Sequence, residues 1–263
     1  MRYALGIEYD GAGFFGWQRQ NHAPSVQQCV EDALGVVANH PVTVVCAGRT
    51  DTGVHARGQV VHFDSPSERS QRQWILGINS NLPDTVRGLW IHPVDDNFHA
   101  RFDAFSRSYR YRIMNRWVRP AIGVAHFGWC RELLDEKRMH EAAQSLLGKH
   151  DFSAFRSAGC SAQHAIREVT AISVTRQQDV VNIDITANAF LYHMVRNIVG
   201  SLIAVGRGEE SLQWFEDVFK SRDRKLAGVT AESRGLCLMA VRYDSKHGLP
   251  EVAEAFPFPA GVS

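Results

Sequence analysis

Two runs of β-branched residues enclose a polar segment in the first quarter of the chain, and this arrangement limits the local fold more than any other feature. The runs are 42–45 and 60–63, and between them lie three glycines, two arginines and one carboxylate, Asp51. The pattern predicts strand, loop and strand, and loops held on a rigid scaffold often carry catalytic groups. The alternative is a hairpin in which Asp51 only accepts backbone hydrogen bonds, and the segment by itself favours that alternative.

Charge and cysteine content exclude several classes of protein. Lys plus Arg total 29 against 28 for Asp plus Glu, so the formal net charge is +1 and any RNA-binding surface must be local. The five cysteines include no C-x-x-C pair, which predicts reduced thiols and neither a disulfide framework nor a zinc site. Glu8 comes too early for a signal peptide, and no apolar run approaches the ~20 residues of a membrane span. We therefore expect a cytoplasmic protein.

The remaining sequence alternates predicted strands and helices. Ser25 and Gln28 fit a capping box ahead of an apolar helical stripe, and the mostly apolar segment 188–202 predicts a helix with Arg196 in its middle. The other predicted elements are a strand at 2–9, a helix around 71–76, a turn at 79–84, strands at 86–91 and 108–113, a helix at 134–147, a hairpin of 166–175 with 180–186, a helix at 212–219, a strand at 236–243 and an irregular tail after Lys246.

Residues 98–119 depart from the even charge distribution, with six arginines against one acid and aromatic residues between them. If the central part is a strand, Tyr109 and Tyr111 share one face while Arg110 and Arg112 share the other. Arginine binds phosphates and stacks on rings, and tyrosine stacks on bases. The segment is therefore either an RNA-facing surface or a solvated strand whose arginine stems cover apolar surface.

Several simple chemistries lack their motifs. There is no H-E-x-x-H or Cys/His cluster for zinc, no Walker or G-x-G-x-x-G motif for a nucleotide, and no G-x-S-x-G elbow. Arg196, within an apolar stretch, needs a partner because an unpaired buried charge is costly, and a carboxylate elsewhere in the fold is the natural candidate. Asp51, the arginine–tyrosine segment and Arg196 together suit carboxylate catalysis on a nucleic acid.

Motifs that match a known family run through nearly the whole chain. The central one is Gly48-Arg49-Thr50-Asp51 followed by Gly53-Val54-His55-Ala56, and the others lie at 7–11, 16–18, 79–83, 98–102, 109–111, 151–155, 190–197 and 235–236. In these motifs the chain resembles the bacterial tRNA pseudouridine synthase A family. Two positions depart from the family pattern, Thr52 where alanine is usual and Cys237 where tyrosine is common. Neither removes a catalytic group, but Thr52 is a change that could alter the packing of the loop.

The resemblance implies an isomerase that converts uridine to pseudouridine at positions 38, 39 and 40 in the anticodon stem-loop of tRNA, with no cofactor and no metal. It implies Asp51 as the nucleophile, Arg196 as its basic partner, Arg49 as support for Asp51 or for base flipping, and Tyr109 as the residue that stacks on the target uracil. Whether Asp51 attacks the ribose or the base, or drives a glycal route, stays open. The residues expected to touch the tRNA are Phe98, His99, Ala100, Arg101, Phe102, Gly159, Cys160, Ser161, Ala162 and Gln163.

The implied fold is α/β, of the α+β type. Two domains each give a mainly antiparallel sheet to one central sheet, with helices packed on it and the active-site cleft between the domains. We assign 1–106 to the N-terminal domain with the Asp51 loop and 107–263 to the C-terminal domain, while composition itself shifts near 117–122. The resemblance also implies a homodimer that binds tRNA in clefts involving both subunits.

Two other functions stay open at this stage. A non-catalytic RNA-binding protein on the same scaffold would keep Asp51 for structure, but intact Tyr109 and Arg196 argue against a decayed enzyme. A carboxylate-dependent nucleosidase or nucleic-acid hydrolase would usually need a second carboxylate as general acid, and none is obvious in the central motif.

Overall fold

The structure, a computed structural model, describes residues 1–250; the rest of the predicted irregular tail, 251–263, lies outside the described residues. The strands of the described part are β1 (Arg2–Tyr9), β2 (Val45–Cys46), β3 (His55–Asp64), β4 (Val86–Val94), β5 (Ala104–Asn115), β6 (Gly128–Cys130), β7 (Gly148–Asp151), β8 (Ile166–Gln177), β9 (Val180–Ala187) and β10 (Leu236–Tyr243). Its α-helices are α1 (Val26–Ala38), α2 (Gln71–Asn81), α3 (Glu136–Gln144), α4 (Met194–Gly206) and α5 (Leu212–Ser221). Within residues 1–250, no helix combines the length and apolarity needed to cross a bilayer.

All of these strands join one sheet with the order β4-β1-β3-β10-β5-β9-β8-β7, while β2 pairs with β3 and β6 with β5. Neighbours along this path are antiparallel, except β3 and β10, which run parallel. Because β10 lies between β3 and β5, it connects the strand after the Asp51 loop to the strand that carries Tyr109. The predicted α/β fold with a mainly antiparallel sheet is confirmed.

Local sequence signals account for several elements. The Ser25 side chain caps α1 by accepting a hydrogen bond from the Gln28 amide, and Ser70 forms a reciprocal capping box with Gln73 at the start of α2. The predicted strands at 2–9 and 236–243 agree with β1 and β10, and the predicted hairpin is present as β8 and β9. In these places neighbouring residues alone are sufficient to define the element.

Two other elements have ends that differ from the prediction. The helix expected around 71–76 continues to Asn81, through part of the predicted turn, and the Asn79 side chain exchanges two hydrogen bonds of 2.8 Å with the backbone of Gly88 in β4. This contact between elements, which a local pattern does not contain, accounts for the longer α2. The strand expected at 42–45 is reduced to β2.

The helix predicted at 188–202 begins only at Met194. His193 precedes it with a φ of 59°, in the left-handed region, where a right-handed helix cannot include it. The six residues before Met194 instead form an irregular segment that leads from β9 to α4. The helix start is thus set by one backbone conformation.

Two main clusters of buried residues fill the protein. The larger includes Tyr111 and Leu202 and lies under α3, α4 and α5, and the smaller includes Leu5 and Trp74 and lies under α1 and α2. Tyr109 packs against both clusters. The segments expected to act in function therefore meet where the two cores adjoin, while the division into domains at 106/107 stays a prediction.

Candidate active site

The Asp51 loop is held by the aromatic segment that precedes α1. The Thr50 carbonyl accepts a hydrogen bond from the Trp17 amide at 2.9 Å, and the Gly53 amide donates to the Phe14 carbonyl at 3.4 Å. Gly53 has a φ of 75°, a conformation that favours glycine. Since Trp17 is only 2% exposed, this segment packs on the core and acts as a support for the loop.

Buried hydrogen bonds fix the loop from the side of the sheet. The Thr50 hydroxyl lies 2.8 Å from the Tyr9 hydroxyl, and the Gln59 amide group donates to the Gly48 carbonyl at 2.7 Å. Burial raises the pKa of Tyr9, so its phenol stays protonated at neutral pH. Thr52 is exposed, and its departure from the family pattern therefore faces solvent instead of repacking the loop.

Two side chains from the start of α4 reach Asp51. The His193 Nε2 atom lies 3.3 Å from Oδ2 of Asp51, and the Arg196 Nη1 atom lies 3.6 Å from the same oxygen. The Asp51 side chain is 29% exposed, against 20% for His193 and 16% for Arg196, so water screens these contacts only in part. The structure thus brings Asp51 and Arg196 together as expected and adds His193, which the sequence did not single out.

The first turn of α4 is anchored to the segment before β10. Arg196 Nε donates to the Ala231 carbonyl at 2.8 Å, and the Ala231 amide donates to the Arg196 carbonyl at 3.1 Å. A Cβ at Gly200 would lie 1.7 Å from the Val229 carbonyl oxygen, so this close approach requires glycine. These contacts hold the guanidinium in position independently of any substrate.

The charge state of His193 follows from its surroundings. Burial lowers the pKa of the imidazole, the charge of Asp51 opposes that shift, and the cations Arg196 and Arg224 lower it further. The net lowering leaves the ring neutral at pH 7. Nε2 is the ring nitrogen that faces the Asp51 carboxylate.

Tyr109 lies on β5 between the two cores and close to Asp51. Its ring meets Phe190 edge-on with 5.0 Å between centroids. Burial, together with the nearby charge of Asp51, raises the pKa of the Tyr109 phenol, which is therefore protonated at neutral pH. Tyr111, which is 1% exposed, donates its hydroxyl to the Glu232 carbonyl at 2.9 Å and has a structural role.

The arginines of β5 bind groups of the protein itself. Arg110 forms an ion pair of 2.7 Å with Asp184, and the Arg112 guanidinium lies 4.8 Å from the centroid of the Phe127 ring. Arg107, which is 9% exposed, donates to the carbonyls of Ala104, Asn188, Ala47 and Arg101. Internal pairing and packing account for these three arginines, and the choice between an RNA-facing surface and a solvated strand stays open.

The first segment expected to contact RNA exposes only part of its length. Phe98 and Ala100 are buried at 1% and 0% exposure, whereas Phe102 is 74% exposed and Arg101 lies beside it with 5.7 Å from guanidinium to ring centroid. The half-buried His99 stacks on Phe102 with 4.2 Å between centroids. Phe98 and Ala100 pack in the interior, so their side chains are not available to RNA, and RNA contact by the exposed side chains of this segment stays a prediction.

The second such segment is a loop beside α4. Arg156 Nη2 donates to the carbonyls of Cys160 and Ala162 at 3.0 and 2.7 Å, and the Tyr192 amide donates to the Cys160 sulfur at 3.4 Å. Burial acts to raise the pKa of the Cys160 thiol, but the amide hydrogen bonds and the charge of Arg156 outweigh it, and the pKa is lowered. The exposed residues of the loop are Gly159, Ser161 and Gln163.

Arg49 lies two residues before Asp51 on the same loop. Its side chain is exposed, and within residues 1–250 the ion pairs of Asp51 are with His193 and Arg196, not with Arg49. Of the two roles expected for Arg49, direct support of Asp51 is therefore absent from the described contacts, and the role in base flipping stays a prediction.

A separate cluster of potential metal ligands is formed by Asp10, His55 and His126, whose ligand atoms lie within 4.8 Å of one another. Residues of these types bind zinc, although the sequence spacing gave no sign of the cluster. The His55 Nδ1 atom accepts a hydrogen bond from the Gly11 amide at 3.0 Å, and its Nε2 atom donates to the Ala125 carbonyl at 2.9 Å. Both ring nitrogens thus have protein partners, and the cluster is explained as a hydrogen-bonded junction between loops.

A carboxylate in contact with a histidine and an arginine, beside a half-buried tyrosine, is an arrangement typical of a carboxylate-dependent enzyme. A family model described as tRNA pseudouridine synthase matches residues 6–103 and 142–244. The chain belongs to this family, and it is accordingly an isomerase.

Individual relatives agree with that assignment. The tRNA pseudouridine synthase A of Vibrio campbellii is 54% identical over 255 residues, which are 96% of this chain and 96% of that protein. The tRNA pseudouridine synthase A of Xylella fastidiosa (strain M23) is 54% identical over 251 residues, 95% of this chain and 98% of that protein. A crystal structure of a Cbf5-Nop10-Gar1 complex is far more remote, at 11% identity and a TM-score of 0.41 over 90% of this chain and 48% of that one. The predicted family and enzyme class are confirmed.

Proposed function

We propose that the enzyme isomerises uridine to pseudouridine at positions 38, 39 and 40 in the anticodon stem-loop of tRNA, with Asp51 as the essential carboxylate. Membership of the family supports the reaction and its tRNA substrate. The observation that carries the assignment of Asp51 is its contact with His193 and Arg196, at the junction of the two cores where Tyr109 also lies.

The reaction exchanges one bond of the ribose for another. The C1′–N1 glycosidic bond breaks, the uracil turns over, and C1′ forms a bond with C5; C5 loses its proton and N1 gains one, so the mass is unchanged. A carboxylate can attack C1′, add to C6 of the ring or remove a ribose proton on a glycal route. The geometry of Asp51 on a rigid loop is compatible with each of these three routes.

The other residues of the site supply binding and orientation. We propose that Tyr109 stacks on the target uracil and that Arg49, exposed on the loop, occupies the space left by the flipped nucleotide. Extraction of a base from a paired stem costs a few kcal/mol, and stacking and phosphate contacts must offset this cost. Arg101 and Phe102, with the exposed residues of the loop at 159–163, are the surfaces that we propose for these contacts.

We further propose that the enzyme is a cytoplasmic homodimer. Free, scattered cysteines support a reducing compartment. The dimer follows from the family resemblance, and it predicts a particle of about twice the 29.5 kDa chain mass in light scattering. A particle of single-chain mass that converts tRNA at the full rate would remove the dimer from the proposal.

The decisive experiment replaces Asp51 by asparagine, which keeps the shape of the side chain and removes its charge. We expect tRNA binding within about threefold of wild type and no release of tritium from C5-labelled tRNA, because the essential carboxylate is gone. Asp217→Asn on the exposed face of α5 is the matched control and should keep full activity. Turnover by Asp51→Asn above the background without enzyme would contradict the assignment of Asp51.

Mass spectrometry of the wild-type product separates the remaining alternatives. An isomerase leaves the tRNA mass unchanged and converts uridine to a nucleoside with a carbon–carbon glycosidic bond. Release of free uracil would identify a nucleosidase, and tight tRNA binding without any conversion would identify an RNA-binding protein. Either result would overturn the proposed function.

A further inference from the structure

We propose that His193 is a positioning residue whose Nε2, 3.3 Å from Oδ2 of Asp51, acts as a donor toward that oxygen and, together with Arg196, fixes the orientation of the carboxylate. This inference rests on the proposed role of Asp51. It goes beyond that role because it names the group that orients the carboxylate.

His193 and Arg196 approach the same carboxylate oxygen. His193 Nε2 lies 3.3 Å and Arg196 Nη1 lies 3.6 Å from Oδ2 of Asp51. Two partners on one oxygen restrict rotation of the carboxylate about its Cβ–Cγ bond. The carboxylate is then held in one orientation in which to attack, to accept a proton or to stabilise positive charge at C1′.

The backbone of His193 is arranged for this contact and not for capping. The residue precedes α4 with φ 59° and ψ 8°, and its side chain makes no capping hydrogen bond to the helix. Non-glycine residues in this region are uncommon, and histidine and asparagine tolerate it better than most. The unusual conformation directs the ring toward Asp51, where it also stacks on Tyr192 with 3.9 Å between ring centroids.

The charged groups that face His193 are Asp51 from the loop after β2, Arg196 from α4 and Arg224 from the segment after α5. With two cations and burial opposing one carboxylate, the ring stays neutral at pH 7 and acts as a donor without charge. Arg196 contributes positive charge beside Asp51, and His193 fixes the orientation of the Asp51 carboxylate. The two partners of Asp51 therefore have different tasks.

Two substitutions of His193 test whether the site needs its hydrogen-bond donor or only a side chain that fills the same space. His193→Asn tolerates the left-handed backbone but is too short to reach Oδ2, whereas His193→Gln is longer and carries an amide donor that can replace Nε2–H. We expect His193→Asn to lower kcat about 10- to 100-fold with KM for tRNA and the thermal midpoint unchanged, and His193→Gln to recover most of kcat. Equal loss in both variants, or a loss confined to KM or to the thermal midpoint, would overturn the proposal.

A second measurement tests the contact without reference to turnover. Long-range ¹H–¹⁵N spectra of the full-length enzyme should show the Nε2–H tautomer of His193 at pH 7, and Asp51→Asn should lower the pKa of His193 because the carboxylate favours the protonated ring. An Nδ1–H tautomer, or a pKa that Asp51→Asn leaves unchanged, would overturn the proposal. If wild-type enzyme formed no pseudouridine, the proposed function would fail while this spectrum still decided the His193 contact.

Discussion

Replacement of Asn197 by alanine should destabilise the protein more than a single polar substitution usually does. Asn197 is fully buried in α4, one residue after Arg196. Its Nδ2 donates to the Phe155 carbonyl at 2.8 Å and to the Ser157 hydroxyl at 3.1 Å. Its Oδ1 accepts from Thr230 at 2.7 Å and Arg224 at 3.0 Å. One amide therefore joins two separate segments, 155–157 and 224–230, to the helix that carries Arg196 and follows His193.

The magnitude follows from the groups that alanine would leave without partners. The Phe155 carbonyl loses its Asn197 donor, and the Thr230 hydroxyl loses its Asn197 acceptor. At ~1–3 kcal/mol for a buried group left unsatisfied, and with the half-buried Thr230 hydroxyl at the lower end of that range, the loss of unfolding free energy should be about 3 kcal/mol. For a protein of this size that loss corresponds to a fall of roughly 10 °C in the thermal midpoint.

Urea denaturation followed by circular dichroism measures the effect, with the m-value as a check that the unfolded state is unchanged. Asn81→Ala is the control, because Asn81 is exposed and donates only within its own helix, to the Gly77 carbonyl. It should change the unfolding free energy by less than ~0.5 kcal/mol. A loss below ~1 kcal/mol in Asn197→Ala would show that these hydrogen bonds do not hold α4 against the segments at 155–157 and 224–230.

Two further predictions concern charge. Arg196→Met keeps a helix-forming side chain but removes the guanidinium that lies 3.6 Å from Asp51. In the tritium-release assay kcat should therefore fall at least about tenfold, while tRNA binding changes little. Equal loss of kcat and of tRNA binding would indicate a structural role for Arg196. Burial, with the positive charges of Arg2 and His99, lowers the pKa of His62 to about 4. Since the unfolded value is ~6.5, the stability from neutral His62 is complete above pH ~6.5 and is lost as the pH falls toward 4, by up to about 3 kcal/mol. Urea titrations at pH 7 and pH 4.5 measure this loss. Between these two pH values the unfolding free energy of His62→Gln should fall less than that of wild type. An equal fall in both proteins would refute the assignment of the pH dependence to His62.

Much of the secondary structure could be predicted because its causes are local. Strands β1 and β10 follow from runs of β-forming residues, and the start of α1 follows from the Ser25 cap, whose hydrogen bond spans three residues. The starting point of α4 could not be predicted in this way. It depends on the left-handed backbone of His193, which nothing in the neighbouring apolar pattern requires.

The amino-acid sequence alone determined the family, the likeness of the Asp51 motif to a catalytic loop, and the need of Arg196 for a carboxylate partner. Only the tertiary structure decided that Asp51 meets both His193 and Arg196, which follow it by more than 140 residues, and that both contact one oxygen. The physical reason is that propensity and capping act over a few residues, whereas such a contact depends on strand order and on the packing of α4. For the same reason Asp51, ambiguous within its own hairpin, finds its two partners only in the folded protein, where the two cores meet.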